Sequence, residues 1–151
     1  MTVSTDRIEK QIVLRSPHER VWRALSDARE FGEWFGMVVE GTFAPDTTVR
    51  GRITTPGFEH LTFDLYIERV EPETLLSYRW HPYAIDQQHD YSQEPTTLVE
   101  FRLSDVADGV ELTVIESGFD QIPPERRAEA FRMNEGGWTA QVENIASYVS
   151  A

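Results

Sequence analysis

The sequence predicts a single α+β domain, residues 1–151, in which a curved antiparallel sheet packs against one long C-terminal helix. Three features predict this fold class. Segments of alternating apolar and polar residues follow one another through the middle of the chain. Short turn signals such as Asp108-Gly109 separate these segments, as in hairpins. The C-terminal segment instead repeats apolar residues at helical spacing, and the length of 151 residues suits one domain.

The first predicted element is a half-buried strand. Ile8, Ile12 and Leu14 occupy alternate positions, and polar residues stand between them. Lys10 breaks the apolar row. One face of this strand is therefore expected to contact the core.

Two short helices are predicted next. Ser16 fits an N-cap, Pro17 fits the first helical position, and Glu19 would complete a capping box. Asp27 repeats the capping signal, with Glu30 three residues later. Both helices are too short to be stable alone, so they must close over a sheet or a cavity beside it. The second helix would present an apolar face formed by Phe31, Trp34 and Phe35.

About six further strands are predicted with short turns between them, which indicates an antiparallel meander. The clearest alternation is that of residues 61–67. A polar segment from Pro82 to Pro95 interrupts the series, and loops of this length in compact domains are often functional. The predicted strands cover residues 38–43, 49–53, 61–67, 76–80, 99–103 and 110–114.

The long C-terminal helix is predicted to begin at Pro123-Pro124 and to reach about Tyr148. Gly136 and Gly137 fall in its middle, although each glycine costs about 1 kcal/mol relative to alanine there. A kink, a close contact with the sheet, or room for a ligand would explain them. The apolar face comprises Phe131, Trp138, Val142, Ile145 and Val149.

Composition excludes several classes of function. The net charge is −12, which opposes binding to nucleic acid or to an anionic membrane. Arg126, Arg127 and Arg132 form the one candidate basic cluster, and we interpret them as solvated helix-surface residues. The chain contains no cysteine, so disulfides and thiolate chemistry are excluded. No apolar run reaches the length of about 20 residues that spans a bilayer, and a cytoplasmic location is expected.

Several ordered motifs resemble those of one family. They lie at residues 21–27, at residues 31–35, at Glu116-Ser117-Gly118-Phe119 and at residues 134–138, the last reading Asn-x-Gly-Gly-Trp. Together they resemble the activator-of-heat-shock-ATPase-like family of the START-like, or SRPBCC, superfamily. The resemblance covers nearly the whole chain and specifies fold rather than chemistry, because that superfamily has many functions.

The resemblance implies the helix-grip fold. In this fold a curved antiparallel sheet of about six or seven strands wraps around the long C-terminal helix, and two short helices follow the first strand. Relatives with this fold commonly hold a cavity between the sheet and the helix. A chaperone or a second copy of the chain is the partner that the resemblance implies.

We predict a ligand site between the sheet and the long helix. Such sites are mostly apolar, with a few placed polar groups. Glu135, on the predicted inward stripe, is either an internal polar anchor or a residue at the edge of the stripe that reaches solvent. Each aromatic residue taken alone fits an ordinary core better than a ligand site, and it is the set, together with the resemblance, that favours a cavity. The candidate ligand-binding residues are Trp34, Phe35, Phe58, Tyr78, Trp80, Phe119, Glu135 and Trp138.

No metal or cofactor is expected. His81, Asp86, His89 and Asp90 are types that bind metals, but their spacing matches no established metal motif, and a solvated loop explains them. His60 is interpreted as structural. No phosphate-binding loop or nucleophile elbow is present in the sequence.

Three functions follow from these observations, in descending order of support. The first is binding of a small apolar or aromatic molecule in an internal cavity. The second is an interaction module that docks on a chaperone or a regulator. The third is an enzyme that uses Glu135, with His81 or Tyr78, as a general acid–base.

Overall fold

A computed structural model describes residues 6–86 and 88–150 as an α+β fold. Seven strands form one antiparallel sheet in the order β1-β7-β6-β5-β4-β3-β2, and a long helix packs against it. The predicted fold class is confirmed. The elements are β1 (Arg7–Leu14), α1 (His18–Ser26), α2 (Ala28–Phe35), β2 (Met37–Glu40), β3 (Thr47–Ile53), β4 (Thr62–Glu71), β5 (Leu75–Trp80), β6 (Thr97–Val106), β7 (Gly109–Ser117), a 3-10 turn (Phe119–Gln121) and α3 (Pro124–Ser150).

The strands follow the alternation in the sequence, except at the end of β2. The prediction extended this strand to Phe43, but it ends at Glu40. Gly41 has a φ of 115°, a conformation that interrupts the extended backbone and suits glycine. Phe43 is then free to turn inward, and it is buried against Phe31.

The core lies between the sheet and α3. On β7 the inward positions alternate with outward ones, and Val110, Leu112 and Val114 are buried. Glu116 continues the same inward row with a carboxylate. The face of α3 that the helical spacing predicted is buried from Trp138 to Val149, and Phe131 is half-buried. No helix within the described ranges is long and apolar enough to cross a membrane.

The two predicted helix caps have different outcomes. Asp27 caps α2, because its Oδ1 accepts a hydrogen bond of 3.0 Å from the backbone N–H of Glu30. The predicted Ser16 cap is wrong, since Pro17 is the N-cap residue of α1 and makes no side-chain cap. The Ser16 hydroxyl instead donates to the backbone oxygen of Val149, at the end of α3, over 3.3 Å.

Glu30 links the three helices. Its carboxylate accepts hydrogen bonds of 2.7 Å from Arg20 and 2.7 Å from Arg23 on α1, and one of 3.1 Å from the Tyr148 hydroxyl on α3. Burial alone would raise the pKa of Glu30, but the bonds from Tyr148, Arg20 and Arg23 outweigh it and hold that pKa below its ordinary value. The ionised carboxylate therefore stabilises the packing of α1 and α2 against the end of α3.

We expect Glu30→Gln to lower the free energy of unfolding by about 1–3 kcal/mol at pH 7, because charge-assisted hydrogen bonds from both arginines are weakened. The stabilisation by Glu30 is complete above its ordinary pKa of 4.5 and is lost as the pH falls through its lowered folded value. Urea unfolding between pH 3 and pH 7 measures both effects. Exposed Glu19→Gln on α1 is the control. Equal losses for the two variants would contradict the bridging role.

Candidate functional site

A buried carboxylate lies where the sheet and α3 meet. Glu116 is fully buried on the inward face of β7. Its Oε2 accepts hydrogen bonds of 2.7 Å from the Trp80 indole of β5 and 2.6 Å from the Thr97 hydroxyl of β6. Its Oε1 accepts one of 2.8 Å from the Trp138 indole of α3, and the Asn134 amide donates to both oxygens over 3.0 and 3.2 Å. We call these five residues the Glu116 cluster.

The environment of Glu116 determines its protonation. All four donor side chains are uncharged, so the carboxylate is removed from water without a cation in its hydrogen-bonding shell. Burial raises the pKa of Glu116, while the bonds from Thr97, Trp80 and Trp138 act in the opposite direction. Because protein donors surround both oxygens, the cluster anchors α3 to three strands and leaves little room for a substrate to reach the carboxylate.

A small pocket opens beside this cluster. Its volume is about 70 Å³, well below the roughly 300 Å³ at which pockets for drug-sized ligands begin. Trp80 and Trp138 form its walls, and their indole N–H groups are both held by Glu116. We call it the indole pocket. It is lined by Phe35, Trp80, Asn134, Gly137, Trp138 and Gln141.

The structure brings together three of the predicted site residues. Phe35, Trp80 and Trp138 line the pocket, and the ring centroids of Phe35 and Trp138 are 5.9 Å apart. Tyr78 lies directly behind Trp80, at 5.5 Å between ring centroids. Trp34 is buried behind Phe35, and its indole donates to the Ala24 backbone oxygen. These aromatic side chains pack against one another, and the space that remains beside them is the indole pocket.

Three other predicted site residues lie outside the pocket lining. Phe119 is buried at the start of the 3-10 turn and packs on Phe131, with ring centroids 5.2 Å apart. Phe58 is 53% exposed, in the segment between β3 and β4. The side chain of Glu135 is 51% exposed, so of its two predicted placements the structure has the solvent-facing one. Its carboxylate pairs with Lys10 at 3.5 Å, which explains the interruption of both apolar patterns.

The double glycine does not mark a close contact with the sheet. A Cβ atom added at Gly136 or at Gly137 would meet nothing within 4 Å, and α3 runs without interruption from Pro124 to Ser150. The two residues differ in one respect, since Gly137 lines the indole pocket and Gly136 does not. Room at the mouth of the pocket is the explanation that fits Gly137.

Sequence reasoning missed Glu116 and Gln141 as site residues. A signal for Glu116 was available, because it continues the inward positions Val110, Leu112 and Val114 with a charged residue. A carboxylate in a row of inward-facing apolar residues indicates that buried side chains donate hydrogen bonds to it. Gln141 gave no such signal, and its role as a donor to the Phe35 backbone oxygen, over 2.8 Å, depends on how α2 meets α3.

The polar loop folds onto the start of α3. Glu94 accepts hydrogen bonds of 2.6 Å from His89 and 2.8 Å from Arg126, and His81 contacts the Glu94 backbone oxygen at 3.1 Å. The interpretation of Arg126 as a solvated residue is wrong, since its side chain is only 17% exposed and its guanidinium lies over the Tyr91 ring. In residues 6–86 and 88–150 no three potential metal ligands cluster together.

Comparison with known proteins identifies the family. The family model described as Activator of Hsp90 ATPase homolog 1-like protein matches residues 15–150. The chain belongs to this family. The resemblance seen in the sequence motifs is thus confirmed. No curated protein matches this family member.

Solved structures share the fold of this family member at low sequence identity. DynU16, a protein in the dynemicin biosynthetic locus, has a TM-score of 0.74 and 23% sequence identity. The match covers 97% of this chain and 48% of the DynU16 chain, so this chain spans about half the length of DynU16. A Mesorhizobium loti protein has a TM-score of 0.75 and 23% identity, covering 95% of this chain and 96% of its own. The Aha1 dimer from Colwellia psychrerythraea has a TM-score of 0.71 and 12% sequence identity, and the match covers 95% of this chain and 95% of that one. These likenesses concern the fold.

We expect Glu116→Gln to lower the free energy of unfolding of this Activator of Hsp90 ATPase homolog 1-like domain by about 2–4 kcal/mol. The amide NH₂ of glutamine donates, so buried donors that bonded to one carboxylate oxygen lose their acceptor. Urea unfolding measures the change. Glu111→Gln, on the outward face of the same strand, is the matched control and is expected to stay near the wild type. A small loss for Glu116→Gln would contradict the anchoring role.

The protonation of Glu116 is expected to be visible at the two indoles that it binds. In an NMR titration, the indole N–H signals of Trp80 and Trp138 should move together, with a midpoint above the ordinary pKa of 4.5. The stabilisation linked to this raised pKa is complete below pH 4.5 and is lost as the pH rises through the midpoint. The Trp34 indole, bonded to a backbone oxygen, is the internal control. A midpoint below 4.5 would contradict the prediction.

Proposed function

We propose that this protein binds a small aromatic molecule at the indole pocket. The observation that supports this most directly is a pocket with aromatic walls whose two indoles are held in place by one buried carboxylate. Fixed aromatic walls with polar groups at the rim are characteristic of small-molecule sites. Here Asn134 and Gln141 supply the polar groups.

The size of the pocket limits what enters without rearrangement. A volume of about 70 Å³ accommodates the edge of one ring, whereas a cavity of roughly 150 Å³ is known to hold a whole benzene molecule. Phe35 is the wall residue that can yield, because it is half-buried whereas Trp80 and Trp138 are buried. It is also the last residue of α2, followed by Gly36 with a φ of 96°. Binding of a complete ring is expected to displace Phe35.

A second candidate function is association with a chaperone ATPase or with another copy of the chain. The description of the matching family and the dimeric state named for the Colwellia psychrerythraea neighbour support it. Light scattering of the purified protein over a concentration series separates a dimer from a monomer. A monomer without measurable binding of small aromatic molecules would make a chaperone partner the leading proposal.

The binding proposal is tested with acetophenone and ethylbenzene, followed through the indole N–H signals of Trp80 and Trp138. We expect both compounds to shift these signals and to leave unchanged the indole N–H signal of Trp22, which lies on α1 outside the pocket lining. Gly137→Leu should weaken binding by about tenfold or more because the side chain fills the mouth. Gly136→Leu, one position away and outside the lining, should bind as the wild type does. Both variants should gain helix stability, since each replaces a helical glycine.

Two results would overturn the binding proposal. In the first, neither compound moves the Trp80 and Trp138 signals. In the second, the two leucine variants bind equally well, which would place the ligand somewhere other than the indole pocket. Thermal unfolding of both variants checks that each one is folded before the affinities are compared.

A further inference from the structure

One hydroxyl in the core has an unmet hydrogen-bonding capacity. Among the described residues, three buried polar side-chain atoms have no hydrogen-bond partner: Ser77 Oγ, Tyr78 OH and Arg126 Nη2. Arg126 belongs to the loop, and Ser77 faces the side of β5 opposite to Tyr78, because successive strand residues alternate. Tyr78 is 0% exposed and faces the core between the sheet and the helices.

The unpaired state of Tyr78 has an energetic cost. A buried donor without an acceptor costs about 1–3 kcal/mol, and native structures rarely keep such groups without a reason. Glu116 lies in the same row across the sheet as Tyr78, because both residues are opposite Val99 of β6, but hydrogen bonds from the rest of the Glu116 cluster occupy its oxygens. The hydroxyl is therefore a free donor beside a saturated acceptor. Burial raises the pKa of Tyr78, and the Glu116 charge raises it further, so the group remains protonated.

Tyr78 lies one ring deeper than the indole pocket. Its ring packs edge-on against Trp80, which lines the pocket, and against Phe31 at 6.4 Å between centroids. Phe31 in turn stacks on Phe35 at 5.1 Å. Displacement of the half-buried Phe35 would therefore expose the ring of Phe31, which is fully buried. A ligand reaches the Tyr78 hydroxyl only when the Phe31 ring shifts as well, and the path opened in this way is lined by aromatic rings.

We propose that the ligand is a neutral aromatic carbonyl compound whose oxygen accepts a hydrogen bond from the Tyr78 hydroxyl. This inference rests on the proposed binding function and specifies its ligand class. The aromatic path selects a flat apolar body, and the free hydroxyl selects an acceptor at its inner end. The groups around this point are a buried acidic side chain and uncharged donors, which offer no cation to a ligand carboxylate, so a neutral acceptor is favoured.

The test measures how Tyr78→Phe changes the affinity for two compounds of similar size. Acetophenone has a carbonyl oxygen, and ethylbenzene does not. We expect Tyr78→Phe to weaken acetophenone binding by about tenfold, since the desolvated carbonyl loses its partner. Ethylbenzene binding should stay within about twofold of the wild type. Tyr66→Phe, which removes a hydroxyl from the outer part of the sheet, should leave both affinities unchanged.

The outcomes separate this inference from the function on which it rests. If wild-type protein binds both compounds at the indole pocket but Tyr78→Phe weakens neither, or weakens both equally, the carbonyl assignment is overturned and the binding proposal stands. If wild-type protein binds neither compound, both are overturned. A loss limited to acetophenone supports the inference.

The stability of ligand-free Tyr78→Phe gives an independent readout. Because the hydroxyl has no partner to lose, we expect a free energy of unfolding equal to that of the wild type or higher. A marked loss of stability would show that the hydroxyl is paired within the fold and would overturn the inference. The measurement needs no ligand and also confirms that the variant folds.

Discussion

The burial of the Glu116 carboxylate is the constraint on which the rest of the structure depends. An ionisable group in the core is stable only when its oxygens are hydrogen-bonded, so its donors must all arrive at one point. They come from β5, β6 and α3, whereas Glu116 itself lies on β7. Meeting this requirement fixes the position of α3 over the sheet. Apolar packing alone would tolerate sliding of the helix, but a shared set of hydrogen bonds does not.

A second buried carboxylate restrains the C-terminal end of α3. Glu30 of α2 binds Tyr148 and two arginines of α1, and Glu116 holds the helix near Trp138. The indole pocket lies beside Glu116, at the middle of α3, and its walls differ in how firmly they are held. The side chains of Trp80 and Trp138 are fixed by hydrogen bonds, whereas the Phe35 ring is held by ring contacts and is half-buried. Because of this difference, Phe35 is the wall residue expected to move when a ligand binds, and the packing is thereby connected to the proposed binding function.

Local features of the sequence predicted the elements well, and contacts between distant residues account for the errors. Alternation located the strands because inward and outward positions differ in burial along each strand. Asp27 was correctly predicted as a cap because its acceptor acts within three residues. Ser16 has the same local signature, but its hydroxyl is used by Val149 at the far end of the chain. Arg126 was likewise predicted to be solvated, because the sequence does not show that the loop residues Glu94 and Tyr91 contact its side chain.

The sequence by itself determined the fold class, the order of the elements and the family, because periodicity, turn residues and ordered motifs are local properties. Only the tertiary structure decided which carboxylate is buried. Glu135 and Glu116 both interrupt apolar patterns, but Lys10 holds Glu135 at the surface while two indoles, a hydroxyl and an amide enclose Glu116. The difference depends on which hydrogen-bond donors meet in space. These donors and Glu116 come from four separate elements, so no local pattern in the sequence indicates that they lie together.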